Sequence, residues 1–276
     1  LNNIRVREKL QSFLAEFLTG LNIIEKARQE QFDFADCSIM NCLYAGAFLA
    51  SNRNIEQATV AIDRLFHLSG TVLPTSIEDK KLVAQRENGE ILYTEADIVE
   101  LRSNVRIDRI YLLDKNLDKS NFEMLDNNEQ RSYLERHHCY VGVSSGVRLA
   151  LQQADIIIYS AGTQHSSLYP TYMSSGLAQS ISDNHSALKV FITNIGADYE
   201  TPSYKASDYI LGAHRYLNLS DERNYTMEEL FDAIFINQSC FKADETYVEY
   251  DEEGFHDISV NRLIDIFESE DKPGKH

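Results

Sequence analysis

Apolar positions in the first part of the chain recur at helical spacing. Ile4, Val6, Leu10, Phe13, Leu14, Phe17, Leu18, Leu21 and Ile24 predict a helix over 4–28. Residues 39–50 (IMNCLYAGAFLA) predict a second, more buried helix, with Asp36 and Ser38 as candidate N-caps. A third is predicted over 54–68, capped by Asn54, with Ile55, Ala58, Ile62, Leu65 and Phe66 on its apolar face. The pattern then shifts toward extended chain. GTVLPTS (70–76) reads as a short strand stopped by Pro74, and Asn88-Gly89 between two extended runs in 81–99 predicts a hairpin. RIDRIYLLD (106–114) reads as another strand. Residues 115–140 are polar and weakly patterned, so they predict a surface excursion in which His137 and His138 face solvent.

From about residue 140 helix and strand patterns alternate. A helix over 146–154 runs into a strand at Ile156, and a helix over 174–184 precedes a strand over 189–195. Helices over 205–217 and 226–236 follow, then a strand over 245–251 and an apolar segment over 260–267. This alternation predicts an α/β fold with a mostly parallel sheet flanked by helices and a β-hairpin excursion. With no internal repeat, low-complexity run or linker, one domain over 1–276 is the expected count. The chain opens within a helical pattern and closes on KPGKH, as expected of a fragment or of a chain with missing ends.

Composition narrows the function classes. Of 276 residues, 43% are hydrophobic and 25% charged, an ordinary globular balance. No stretch approaches the roughly 20 apolar residues needed to cross a bilayer, and the N-terminal segment lacks the apolar core of a secretory signal. The net charge of −17 repels a phosphate backbone, so nucleic acid is not an expected partner. A small anionic ligand remains compatible, because backbone N–H groups at a helix start bind phosphate whatever the overall charge. Cys37, Cys42, Cys139 and Cys240 form no C-x-x-C pair and read as reduced thiols of a cytoplasmic protein.

Three segments carry candidate chemistry. In ADIIIYSAGTQHSSLYP (154–170) a buried strand runs into a small-residue turn, where ligands of open parallel sheets bind. Gly162 allows close backbone approach, and Thr163, Ser166 and Ser167 supply hydroxyls. A strand-to-helix turn capped by serines explains the same residues equally well. Neither the Walker pattern nor G-x-G-x-x-G is present. His165 and Ser166 are sequence neighbours outside any G-x-S-x-G elbow, so a hydrolase triad is not expected. In FDFADCSIMNCLYAG (32–46), Ser38 and Asn41 stand at a helix mouth, where they cap the helix or touch a ligand. In TNIGADYETPSYKASDYI (193–210), Asn194 ends a strand; Tyr204, Lys205, Ser207 and Asp208 lead into a helix, and capping accounts for the last two.

Taken in order, five motifs resemble the CofD-like family of 2-phospho-L-lactate transferases and gluconeogenesis-factor-like proteins. They are S-I-M-N-C (38–42), G-T-V-L-P-T-S (70–76), the 154–170 segment, I-T-N (192–194) and Y-K-A-S-D (204–208). The resemblance implies a Rossmann-like fold that binds a guanine or uridine nucleotide, with Mg2+ as a possible cofactor and a homodimer as the expected assembly. One branch transfers a phospholactate-type group from a GDP-activated donor to a deazaflavin-like acceptor. The alternative is a nucleotide-sugar-binding regulator of central carbon metabolism or cell-wall synthesis without catalysis. Carried over by position, Ser38, Asn41, Gly162, Thr163, Ser166, Ser167 and Asn194 line the ligand cleft, and Asp33 and Asp36 are the nearest metal candidates. The family's N-terminal Gly-rich strand-turn has no counterpart in this sequence, Met40 stands where the family has glycine, and Gly-Pro-Gly-Ser has become Ala161-Gly162-Thr163-Gln164. A third reading is a relic of the fold that acts through protein contacts, its cleft plugged by Met40 and His165.

Overall fold

The computed structural model describes residues 4–35, 37–237, 247–256 and 258–259, and the backbone of 262–265. The chain forms two compact units, Leu1–Ile77 and Glu78–His276.

The first unit is three helices: α1 (Ile4–Arg28), α2 (Ile39–Ala50) and α3 (Ile55–Phe66). Their shared core is Phe13, Leu43, Ala47, Ala58 and Ile62. Gly46 lets α2 approach α1 closely, since a Cβ there would lie 1.8 Å from the carbonyl oxygen of Phe13. The Ser38 hydroxyl caps α2 by accepting the Asn41 N–H at 3.1 Å, and Asn54 caps α3 by accepting the Gln57 N–H at 2.9 Å. The strand expected over 70–76 is absent. Its Val72 N–H donates to the Asp63 carboxylate at 3.1 Å, so a side chain supplies what a neighbouring strand would.

The second unit begins with strands β1 (Lys81–Arg86) and β2 (Ile91–Leu92), the predicted hairpin, turning at Gly89 with φ +90°. The second run is short because Thr94 and Asp97 form a capping box that starts α4 (Glu95–Glu100). Strand β3 (Ile107–Leu113) pairs antiparallel with β1, Ala84 facing Ile110, in the order β2-β1-β3. The buried guanidinium of Arg86 gathers the loop beyond α4, donating to the carbonyls of Leu101 and Val105 at 2.6 and 2.8 Å. The excursion expected after β3 is instead two helices, α5 (Lys119–Phe122) and α6 (Asn127–His137). Phe122 and Leu134 bury against Val83, Tyr111 and Leu113, and an Asp126–Glu129 capping box starts α6.

Helix and strand alternate over the remainder. In order come α7 (Ser145–Gln153), β4 (Ile156–Tyr159), α8 (Tyr169–Tyr172), α9 (Leu177–Asp183), β5 (Leu188–Ile192), α10 (Ala206–Leu217), α11 (Met227–Leu230), β6 (Ala233–Ile236), α12 (Glu252–His256) and β7 (Arg262–Asp265). The sheet order is β4-β5-β6-β7 with every pairing parallel. The helix expected over 226–236 is split. Only 227–230 is helical, and Ala233-Ile234-Phe235-Ile236 is a strand with β5 on one side and β7 on the other. A short, wholly apolar run suits a buried parallel strand, and periodicity does not distinguish it from a helix. The strand expected over 245–251 begins outside the described residues. Within them, Tyr247 and Glu249 make isolated bridges to Gly196 and Lys205. Tyr159, Tyr169, Phe191, Tyr209, Tyr216, Phe231 and Ile234 lie in the main core, which fills the space between the parallel sheet, the hairpin sheet and the helices.

Candidate functional site

Tyr159 ends β4 with its ring buried and its hydroxyl donating to the carbonyl of Leu230 at 3.1 Å. The chain then turns through 160–163 into a single π-helical turn, Gln164–Leu168, that continues into α8. Such π turns recur at functional sites. Asn194, two residues beyond β5, ties the two strand ends together. Its Oδ1 accepts the Gly162 N–H at 3.1 Å, and its Nδ2 donates to the Gly162 carbonyl at 2.9 Å. Gln164 Nε2 adds a second bond to that carbonyl, at 2.7 Å. A Cβ on Gly162 would meet Leu168 only at 3.4 Å, so packing alone does not demand glycine here. Beside it, Thr163 Oγ1 donates to Ser167 Oγ at 2.8 Å, with Ser167 exposed.

The first turn after this loop converges on one carboxylate. Glu200 Oε2 accepts the backbone N–H groups of His165 and Ser166 at 2.9 and 3.0 Å, and its Oε1 accepts the Ser166 hydroxyl. Glu200 is 2% exposed. Burial pushes its carboxyl above the ordinary glutamate range, against the opposing pull of the Ser166 and His165 hydrogen bonds. His165 is buried beside it, its ring edge-on to Tyr169 at 5.0 Å and to Tyr204 at 6.0 Å. Burial drives its pKa down to about 3, so the imidazole is neutral. Ser166 therefore serves Glu200 while His165 serves the aromatic core, and the two do not form a nucleophile–base pair. Nor does His165 plug a cleft mouth, because its ring points into the core.

A second helix start is filled in the same manner. Asp251 accepts the Ser207 N–H at 3.0 Å and the Ser207 hydroxyl. Asp208 turns back to the Lys205 N–H at 2.8 Å and pairs with Arg106, which also lies over the Tyr204 ring. Ser207 and Asp208 are thus structural, as the capping reading expects.

Within unit 2, Gly162, Thr163, Ser166, Ser167 and Asn194 come together at the carboxyl ends of β4 and β5. Ser38 and Asn41 belong to the first unit and meet each other as cap and capped amide. Met40 occupies the second position of α2 and is partly exposed. Asp33 Oδ1 accepts the Ala35 N–H at 2.9 Å, and Asp36 lies outside the described residues. Among the described residues no group of three or more His, Cys, Asp or Glu side chains is placed to hold a metal ion. Asp33 thus spends one of its carboxylate oxygens on its own backbone. Sequence reasoning missed Glu200 and Gln164. Gln164 lies inside the 154–170 motif but receives no role there, and Glu200 reaches Ser166 across 34 positions of chain.

A parallel sheet flanked by helices, with a braced loop at the strand ends, defines a Rossmann-like α/β protein. The chain belongs to the family of 2-phospho-L-lactate transferase CofD, which it matches over residues 24–271. It is 26% identical over 220 residues to a candidate gluconeogenesis factor of Thermotoga maritima, covering 79% of this chain and 59% of that protein. It is 24% identical over 252 residues to a gluconeogenesis factor of Halalkalibacterium halodurans, covering 89% and 69%. The chain therefore spans about three-fifths of the length of the Thermotoga relative. Its fold matches a crystal structure of a UPF0052-family protein from Bacillus halodurans, with a TM-score of 0.62 at 20% identity over 83% of this chain and 65% of that one. Among the described residues no helix is long and apolar enough to cross a membrane.

Proposed function

We propose that the strand-end loop holds the phosphate portion of a nucleotide or nucleotide sugar, and that the chain acts as a ligand-binding regulator of the gluconeogenesis-factor kind. The observation that carries this reading is the convergence of two backbone N–H groups and a hydroxyl on the Glu200 carboxylate. The loop is already an oxyanion cradle. Glu200 fills it, and the Thr163–Ser167 hydroxyl pair lies beside it, with Ser167 exposed. The names of the curated relatives favour the regulator.

The second reading is favoured by the family match: transfer of a phospholactate-type group from a GDP-activated donor to a deazaflavin-like acceptor. Donors of the loop would then stabilise charge building on the departing phosphate. Mg2+ and the homodimer that the resemblance implies belong to this proposal too. Calorimetric titration with UDP-glucose, UDP-N-acetylglucosamine and GDP, each with and without Mg2+, separates the readings. Uridine-sugar binding independent of Mg2+ supports the regulator. Mg2+-dependent GDP binding supports the transferase. Absence of heat with all three overturns both.

A further inference from the structure

A cavity of about 280 Å3 opens in unit 2 between β3, the C-terminal end of α6 and the last turn of α10, and it shares no residue with the strand-end loop. Its walls are apolar and flat: Ile110, Leu219 and the rings of Tyr111, Tyr140 and Tyr216. Tyr140 forms the lip, largely exposed, with His138 edge-on at 4.9 Å.

The polar lining is rich in donors. His138 Nδ1 accepts the Leu112 N–H at 3.1 Å, which assigns the proton of the neutral ring to Nε2. Burial lowers the pKa of this ring, so it is neutral near pH 7. That Nε2–H is buried without a partner, as is the Tyr111 hydroxyl, while Arg109 Nε lies 3.6 Å from Asp108 Oδ2. Buried donors left unpaired are rare, and two around one cavity call for an acceptor. The protein's own acceptors are committed elsewhere. Glu135 is held by Arg109 and Arg131, and Asp108 is shared among Arg109, Arg131 and Arg215. Three arginines thus face two carboxylates, a local positive excess in a chain of net charge −17.

We propose that this cavity is a second ligand site, for a small planar carboxylate. Its anionic group meets His138 Nε2–H, the Tyr111 hydroxyl and the arginine edge, and its flat body lies against Tyr140, Tyr216 and Leu219. A carboxylate supplies the acceptors that the cavity lacks, and a planar body suits walls made mostly of rings.

The probes are benzoate and inorganic phosphate, titrated into the whole chain carrying 15N-labelled histidine and followed by NMR. Benzoate is expected to move the His138 Nε2–H resonance saturably at millimolar concentration, and phosphate to bind more weakly. Tyr111→Phe removes an unpartnered hydroxyl, so this variant keeps its thermal midpoint while binding benzoate about fivefold more weakly. The proposal is overturned by an unmoved His138 signal, by phosphate binding as tightly as benzoate, or by equal benzoate affinity in Tyr111→Phe and the unaltered chain.

Discussion

Glu200 holds Ser166 at two points, its Oε2 on the backbone N–H at 3.0 Å and its Oε1 on the hydroxyl. With the His165 N–H also on Oε2, an internal carboxylate occupies the place where a strand-end loop presents donors to a phosphate. The loop is thereby held in shape by the chain itself, which under the proposed nucleotide-binding role lowers the ordering cost of binding. The same contact makes the loop depend on a residue far away in the chain.

Removal of this carboxylate tests that dependence. Glu200→Ala strands two backbone N–H groups and a hydroxyl in a buried site, and is expected to lower stability by about 1–3 kcal/mol. Glu200→Gln keeps one acceptor oxygen and loses less. The check is the urea midpoint at constant m-value; an Ala variant as stable as the parent contradicts the account.

The neutral, buried His165 predicts an acid sensitivity with a definite sign. Its folded pKa, about 3, lies below the ordinary 6.5. The unfolded chain therefore takes up the proton first, and stability is lost as pH falls from 6.5 toward 3. The slope from this one group is at most about 1.4 kcal/mol per pH unit. His165→Phe keeps an aromatic ring against Tyr169 and Tyr204. The stability difference between parent and variant should shift with pH in that window and be flat above pH 7, as read by denaturant titrations at several pH values.

Gly212 of α10 sits against the hydroxyl end of Tyr169, where an added Cβ would lie 2.0 Å from the oxygen and 2.7 Å from Cζ. Gly212→Ala is expected to cost about 1–3 kcal/mol by overpacking. Tyr169→Phe in the same chain should recover part of that loss, because the nearer of the two contacts disappears. A double-mutant cycle in thermal unfolding measures the coupling, and strict additivity would refute the contact.

Asn194 is the brace between β4 and β5. Asn194→Ala leaves both the N–H of Gly162 and the Asn194-bonded face of its carbonyl without that partner. A stability loss of about 1–2 kcal/mol is expected, together with weaker nucleotide binding in calorimetry. A variant that loses stability but binds at parental affinity would place the ligand elsewhere.

Much of this architecture was legible because local signals agreed with the packing. The apolar stripe of 4–28, the caps Ser38 and Asn54, the Asn88-Gly89 turn and the alternation over 146–217 all appear where the pattern places them. The failures have distinct causes. Ala233–Ile236 is too short and too uniformly apolar for periodicity to separate strand from helix. Thr94-Asp97 and Asp126-Glu129 are capping boxes written in the sequence, yet a polar segment reads as loop unless Phe122 and Leu134 are seen to bury. Val72 found a side-chain acceptor in place of a strand. At the site, Gly162 and Asn194 were recognisable as strand ends. Glu200 was not, because nothing in the spacing of a distant acid announces that it will cap a particular turn.

The measurement that bears most directly on the central claim is residue-resolved amide NMR of the chain, titrated with UDP-N-acetylglucosamine and with GDP plus Mg2+. The account predicts saturable shifts concentrated at Gly162, Thr163, His165 and Ser166, with Glu200 responding as its contacts are shared or displaced. Saturable binding that leaves these amides unmoved, or no binding of either nucleotide, would contradict it.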